Sequence, residues 1–230
     1  MTGPGPATVR PWLVIVSDRR RLCAAAGRPV ADAHDLLVAQ AGAAAAAGVT
    51  AFQVRERDLD GRALLALVRD VAGVAAGRLR VLVNDRADVA AAAGVGVHLR
   101  ADSMAAARLR PWLPGDTWIS RSAHDRRELA AVGPVNAVLV GAVRGTASKR
   151  AGHPLLGDDG LADLVAAAAV PVVAIGGLSA ADWPRLQQAG AAGVAAIGAF
   201  LPRSGESVEG AVHRAVSEFA AVVDSLDRVS

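Results

Sequence analysis

Eight short apolar runs, each closing on polar or glycine residues and each followed by an Ala/Leu-rich stretch of helical period, leave this chain few architectures to choose from. The runs span 12–18, 51–56, 81–86, 96–99, 117–123, 137–143, 171–177 and 193–200. Between them lie helical stretches at 32–47, 60–76, 87–93, 103–110, 125–132, 159–169, 180–189 and 208–223. Strands that are apolar along their whole length are covered on both faces, which implies a parallel sheet. Eight β-then-α units with no strand left over imply closure into a single (β/α)8 barrel of the TIM type, with an open doubly wound sheet as the competing arrangement. The length of 230 residues suits one such barrel, which typically needs about 250. Residues 1–10, rich in Gly and Pro, read as a flexible N-terminal tail, and 11–230 as the barrel domain. Gly48, Gly94 and Gly193 precede strands and read as helix stops.

Composition limits what this barrel can be made of and what it can bind. The chain is 53% hydrophobic but only 3% aromatic and has no Tyr, so its core rests on Ala, Val, Leu and Ile, with helices packed closely through Ala. The same Ala-rich faces would also suit a homodimer. The isoelectric point is high although the net charge is only +3, because almost nothing titrates between neutrality and Arg. Basic and acidic residues alternate, as in Arg126, Arg127 and Glu128, without the basic stripe of a nucleic-acid binder, so no nucleic-acid partner is expected. Cys23 stands alone and permits no disulfide framework. The apolar run 12–16 is too short for a signal peptide or a membrane span. A cytoplasmic protein without a membrane partner is the expectation.

Barrels of this kind build their sites at the C-terminal ends of the strands. In this chain those ends carry Asp18 and Arg19; Gln53, Arg55, Glu56 and Arg57; Asn84 and Asp85; His98 with Asp102 beyond it; Ser122 and His124; Thr146, Ser148 and Lys149; Gly176 and Gly177; and Ile197 with Gly198. Asp85 and Asp102 follow neighbouring strands about 4.8 Å apart, so both could reach one hard cation such as Mg2+. Each could equally cap the helix that follows it. Lys149 is the only Lys among 25 basic residues, which favours a specific point charge against phosphate over chance, with the Thr146 and Ser148 hydroxyls beside it. Gly176 and Gly177, and Gly198 one strand on, permit close approach of backbone N–H groups to an anion, or simply form tight turns. Gln53 and Arg55 can face substrate, with an Arg55–Glu56 ion pair as the alternative. His124 is the acid/base candidate by residue type, whereas His98 reads better as a hydrogen-bonded core imidazole. Cys23, Met104 and the four Trp suggest packing rather than a cofactor.

Taken in order, VSDR (16–19), QVRER (53–57), NDR (84–86), GVHL (96–99) with Asp102, SAH (122–124), GTASK (145–149), AIGG (174–177) and GVAAIGAF (193–200) resemble the thiamine-phosphate synthase family and its TenI sister group. For a synthase, the resemblance implies that a hydroxymethylpyrimidine diphosphate is joined to a thiazole phosphate with release of pyrophosphate. It also implies that Asp85 and Asp102 hold Mg2+, and that Arg55, Ser122 and Lys149 contact the pyrophosphate. Gln53 would lie on the pyrimidine side, and Thr146, the Gly177 backbone and the Ile197–Gly198 backbone would hold the thiazole phosphate. Arg57, Asn84, Ser148 and Gly176 join the substrate-binding set. The synthase pattern usually has Lys at the position of Arg57, Gly-Gln at Arg100 and Ala101, often Pro near Ala142 and Ser at Gly198. The R-S-x-H form of Arg121 to His124 is instead similar to TenI, which implies a thiazole tautomerase with His124 as acid/base, although TenI proteins can lack the second Asp. A synthase is the leading expectation, a TenI-like tautomerase the alternative, and a barrel that binds phosphorylated thiazole or thiamine phosphate without turnover the reading of another class.

Overall fold

A computed structural model of the chain describes residues 10–145 and 155–228. Eight strands, β1 (Trp12–Val16), β2 (Ala51–Val54), β3 (Arg80–Asn84), β4 (Gly96–Leu99), β5 (Ile119–Ala123), β6 (Ala137–Val140), β7 (Val172–Ile175) and β8 (Gly193–Ala196), pair in parallel in sequence order, and β8 returns to β1 to close the barrel. The helices among the described residues are α1 (Arg19–Ala25), α2 (Ala33–Ala46), α3 (Gly61–Ala75), α4 (Ala87–Ala93), α5 (Ala106–Leu109), α6 (Arg126–Ala130), α7 (Gly157–Ala167), α8 (Trp183–Gln188) and α9 (Val208–Asp227). All but residue 10 of the expected N-terminal tail lies outside the described residues.

Most strands stop two to four residues before their apolar runs do, because the last residues of each run leave the sheet and turn into the mouth of the barrel. Helix α1 is an element that periodicity did not reveal. It is too short for a repeat, starts where the Asp18 carboxylate accepts the Arg21 N–H at 3.1 Å, and buries Leu22 and Cys23. The expected helix at 103–110 shrinks to α5 followed by a 3-10 turn at Arg110–Trp112. There Met104 and Trp112 are exposed, contrary to a packing role, since no long helix covers this stretch. Gly94 ends α4 in left-handed backbone as expected, but Gly193 is the first residue of β8, and Gly190 carries the positive φ after α8.

The strand alternation separates two apolar volumes. Residues facing outward, such as Ile15, Phe52, Val83, Val97 and Val138, pack under the helices, and the alanines Ala41, Ala43, Ala44 and Ala45 of α2 are buried within this layer. Those alanines serve contact with the chain's own barrel. Inside the barrel Val14, Val16, Ala51, Leu82, Leu139, Val173 and Ala195 form a second, smaller cluster. Its N-terminal end is closed by Trp12 edge-on to Trp118, with ring centroids 5.9 Å apart, and by the Arg80 guanidinium 3.7 Å above the Trp118 ring. The opposite end is left open by the described residues.

Candidate active site

At that open end lies a cavity of about 940 Å³. Small-molecule pockets run to about 300–1,000 Å³, so this cavity lies at the large end of that range. Of the residues expected at the site, Gln53, Arg55, Arg57, Asn84, Asp102, Ser122, His124, Gly176, Gly177, Ile197 and Gly198 all line it. Thr146, Ser148 and Lys149 lie outside the described residues.

The wall contributed by β2–β5 is polar. Gln53 and Asn84 are buried and joined by a 3.1 Å hydrogen bond from Gln53 Nε2 to Asn84 Oδ1, while Gln53 Oε1 is buried with no partner among the described residues. His98 is only 3% exposed, and its two ring nitrogens lie 2.9 Å from Ser120 Oγ and Ser122 Oγ. Burial, followed by the positive charges of Arg55 and Arg121, pushes its pKa down to about 3, so the imidazole is neutral. This makes it a core histidine that fixes the Ser122 hydroxyl at the cavity wall.

Arg55 is half-buried at the end of β2, and among the described residues no carboxylate lies within salt-bridge distance of it. Its pKa is lowered, first by burial and then by Arg57, but the guanidinium remains a cation. The Arg55–Glu56 pair offered by the sequence does not form, because Glu56 turns the other way. Its Oε1 accepts the Ser17 hydroxyl at 2.5 Å and the Arg19 N–H at 3.1 Å, and Oε2 lies 3.2 Å from Arg19 Nη1. Burial pushes the Glu56 carboxyl up, opposed by the Ser17 and Arg19 hydrogen bonds. The Ser17 hydroxyl also accepts the Arg55 N–H at 2.8 Å, so this buried node anchors the backbone from which Arg55 reaches the cavity.

Neither aspartate caps a helix. The residue preceding α4 is Arg86 and that preceding α5 is Ala105, and neither helix start receives a side-chain hydrogen bond. Both carboxylates instead turn to one guanidinium. Arg100 Nε donates to Asp102 Oδ1 at 2.8 Å, Arg100 Nη2 meets Asp102 Oδ2, and Arg100 Nη1 lies 3.5 Å from Asp85 Oδ2. Asp85 adopts φ +61°, a left-handed conformation that Asp tolerates better than most residues, while the Ser103 hydroxyl donates to its Oδ1. Arg100 and Asp102 line the cavity, whereas Asp85, expected there with Asp102, is not among its lining residues. Arg100 draws the Asp102 carboxyl below the usual carboxylate range. Among the described residues no group of three or more His, Cys, Asp or Glu gathers for a metal. The pair, with the Ser103 hydroxyl beside it, offers only hard oxygen donors, and one shared cation already brings both carboxylates together, so the donor set fits a hard divalent ion better than a soft one.

His124 follows β5. Its Nδ1 and its backbone N–H both lie 2.8 Å from Glu128 Oε2, one turn on, in α6. Asp125 caps that helix at the Glu128 N–H at 2.7 Å. The carboxylate favours the proton on Nδ1 and orients the ring along the cavity wall.

Among the described residues, the strands β6–β8 contribute a wall that is apolar in side chains and open in backbone. Leu139, Ile175 and Ala195 line its depth, and glycines line its rim. Gly177 has φ +63°, and a Cβ there would lie 2.1 Å from the Gly145 carbonyl oxygen, so no other residue fits without moving the neighbouring loop.

Four participants escaped sequence reasoning. Arg21 of α1 lines the cavity beside Gly198, and its Nη2 lies 3.6 Å from where a Cβ on that glycine would stand. The Arg-rich start of α1 was the available signal. Glu128 looked like a solvated face and Arg100 like a departure from pattern. Arg121 points out of the barrel, buried, and donates to the carbonyls of Ala101, Ser103 and Met104 at 2.8, 2.8 and 2.9 Å, so it fixes the loop that carries Arg100 and Asp102.

Comparison with known proteins bears on the family and the fold. A family model described as thiamine monophosphate synthase matches residues 28–200. The chain is 39% identical over 198 residues to a putative thiamine-phosphate synthase of Geobacter sulfurreducens, covering 82% of this chain and 86% of that one. It is 39% identical over 161 residues to a thiamine-phosphate synthase of Azorhizobium caulinodans, covering 68% and 76%. Among solved structures, thiamine phosphate pyrophosphorylase from Pyrococcus furiosus superposes with a TM-score of 0.74 at 23% identity over 94% of this chain and 96% of that one, a likeness of fold. With three quarters of its length matched by one family model and relatives this similar, the chain belongs to the thiamine monophosphate synthase family.

Proposed function

We propose that this protein is a thiamine-phosphate synthase that joins a hydroxymethylpyrimidine diphosphate to a thiazole phosphate and releases pyrophosphate. The observation that carries the reading is Arg55, a half-buried cation with no carboxylate partner among the described residues, which lines the cavity. In the reaction the C–O bond between the pyrimidine methylene and the diphosphate breaks, with the electron pair leaving on the diphosphate. The thiazole nitrogen supplies the pair for the new C–N bond. Negative charge therefore builds on the leaving oxygens, and fixed cations aimed there lower the barrier. Arg55 and Ser122 would meet the diphosphate, and Arg57 would add charge at the rim. Gln53, whose Nε2 is held by Asn84, would lie on the pyrimidine side. The Gly177 and Ile197–Gly198 backbones would receive the thiazole phosphate. Lys149, with Thr146 and Ser148, is assigned to the same anions by its being the only Lys of the chain and by family resemblance.

Mg2+ held by Asp85 and Asp102 would neutralise the leaving group. The test is a pyrophosphate-release assay with both substrates and Mg2+. Release that disappears in Asp102→Ala supports the synthase, and no release from folded protein defeats it. A tautomerase reading is favoured by one observation, the Glu128-oriented imidazole of His124 on the cavity wall. It requires Mg2+-independent proton exchange on a thiazole carboxylate phosphate that is lost in His124→Ala.

A further inference from the structure

The proposed metal ligands already share a cation that belongs to the chain. Arg100 lies between Asp102, which it grips through Nε at 2.8 Å and through Nη2, and Asp85, 3.5 Å from its Nη1. Arg100 and Asp102 line the cavity, and the same guanidinium reaches Asp85, which is not among the lining residues. We propose that Arg100 is a resident competitor for the divalent cation, so that metal reaches the Asp85–Asp102 pair only by displacing the guanidinium. The inference rests on the reading of these aspartates as the metal ligands.

Three physical points support it. Two carboxylates this close repel each other unless a cation sits with them, and Arg100 supplies that cation without metal. The group is nonetheless exchangeable. The Arg100, Asp85 and Asp102 side chains are 43%, 30% and 69% exposed, and ion pairs in contact with water contribute little to stability. The loop itself stays in place when the guanidinium leaves, because it is anchored by Arg121 on three carbonyls and by the Arg100 N–H on Ser103 Oγ at 2.9 Å. Displacement therefore needs a change of side-chain rotamer and no loop movement. The consequence is a metal requirement set by the difference between two cations, weaker than the oxygen ligands alone would give.

The experiment is a Mn2+ titration of the full chain followed by the electron paramagnetic resonance of free Mn2+, a readout independent of turnover. Arg100→Gln is expected to bind Mn2+ about tenfold more tightly than the parent, the scale of removing one nearby charge at a solvated site. Arg100→Met should do the same and Arg100→Lys should not, which separates charge from bulk. Asp102→Asn should lose the gain in the Gln background. Equal affinity of the parent and Arg100→Gln overturns the competition while leaving the ligand assignment intact. Absence of Mn2+ binding in every variant overturns the competition together with the ligand assignment, and the pyrophosphate assay remains the separate test of the synthase reading.

Discussion

The two halves of the barrel mouth recognise by different means. Along β2–β5 the inward positions carry Gln53, Asn84, His98, Ser120 and Ser122, a wall of side-chain hydrogen-bonding groups backed by Arg55. Along β6–β8 the equivalent positions carry Leu139, Ile175 and Ala195, and among the described residues polarity returns as backbone at Gly176, Gly177 and Gly198 and as the side chain of Ser179. The difference teaches where each half is vulnerable. A side-chain wall has obligations, since every buried polar group needs its partner, and it can be rewired by single substitutions. A backbone wall is made of groups that no substitution removes, and it depends instead on the absence of Cβ atoms.

The comparison can be broken most directly at Arg55. Arg55→Ala should lower kcat/KM for pyrophosphate release by about a thousandfold with an unchanged circular dichroism spectrum, the size of losing one preorganised charge on a leaving group. A loss under tenfold would show that the polar wall is not where leaving-group charge is stabilised. Next in size is Arg121→Ala, which removes three hydrogen bonds from a buried guanidinium to carbonyls; chemical denaturation should register a loss of about 3 kcal/mol. If stability holds, the loop that carries Arg100 and Asp102 has another anchor.

On the other wall, Gly177→Ala should lower kcat/KM by about a hundredfold, chiefly through a higher KM for the thiazole phosphate, because the added Cβ intrudes on the Gly145 carbonyl. A matching rise in KM for the diphosphate would mean the halves do not divide the substrates. The smallest effect is a pH dependence confined to the polar half. His98 titrates at about 3 when folded and near its ordinary value when unfolded, so the unfolded chain binds the proton first. Stability is therefore full above about pH 7, falls as pH drops through 6.5, and continues to fall toward pH 3. Between pH 7 and 5 the loss is about 2 kcal/mol, and His98→Gln should flatten that part of the curve in urea titrations. An unchanged slope would reject the neutral buried imidazole.

How much of this was legible in the sequence depends on the range of the interaction concerned. Strand order and barrel closure were readable because apolar runs and helical periods repeat eight times, and each repeat reports only on its own neighbours along the chain. Most positions that line the mouth were readable for the same reason, since they sit where runs end in polar residues, but Arg21, Arg100 and Glu128 were not. Partner choice was not. Glu56 is adjacent to Arg55 in sequence yet bonds Ser17 and Arg19, 39 and 37 residues away. Asp85 and Asp102 looked equally suited to capping and to metal, and only the turn of their side chains toward Arg100 excluded the caps. Local pattern is a property of consecutive residues, and the chain by itself determined the barrel and its rim. Which charge faces which is decided by side-chain directions at strand ends brought together by closure, and only the tertiary structure contains those directions.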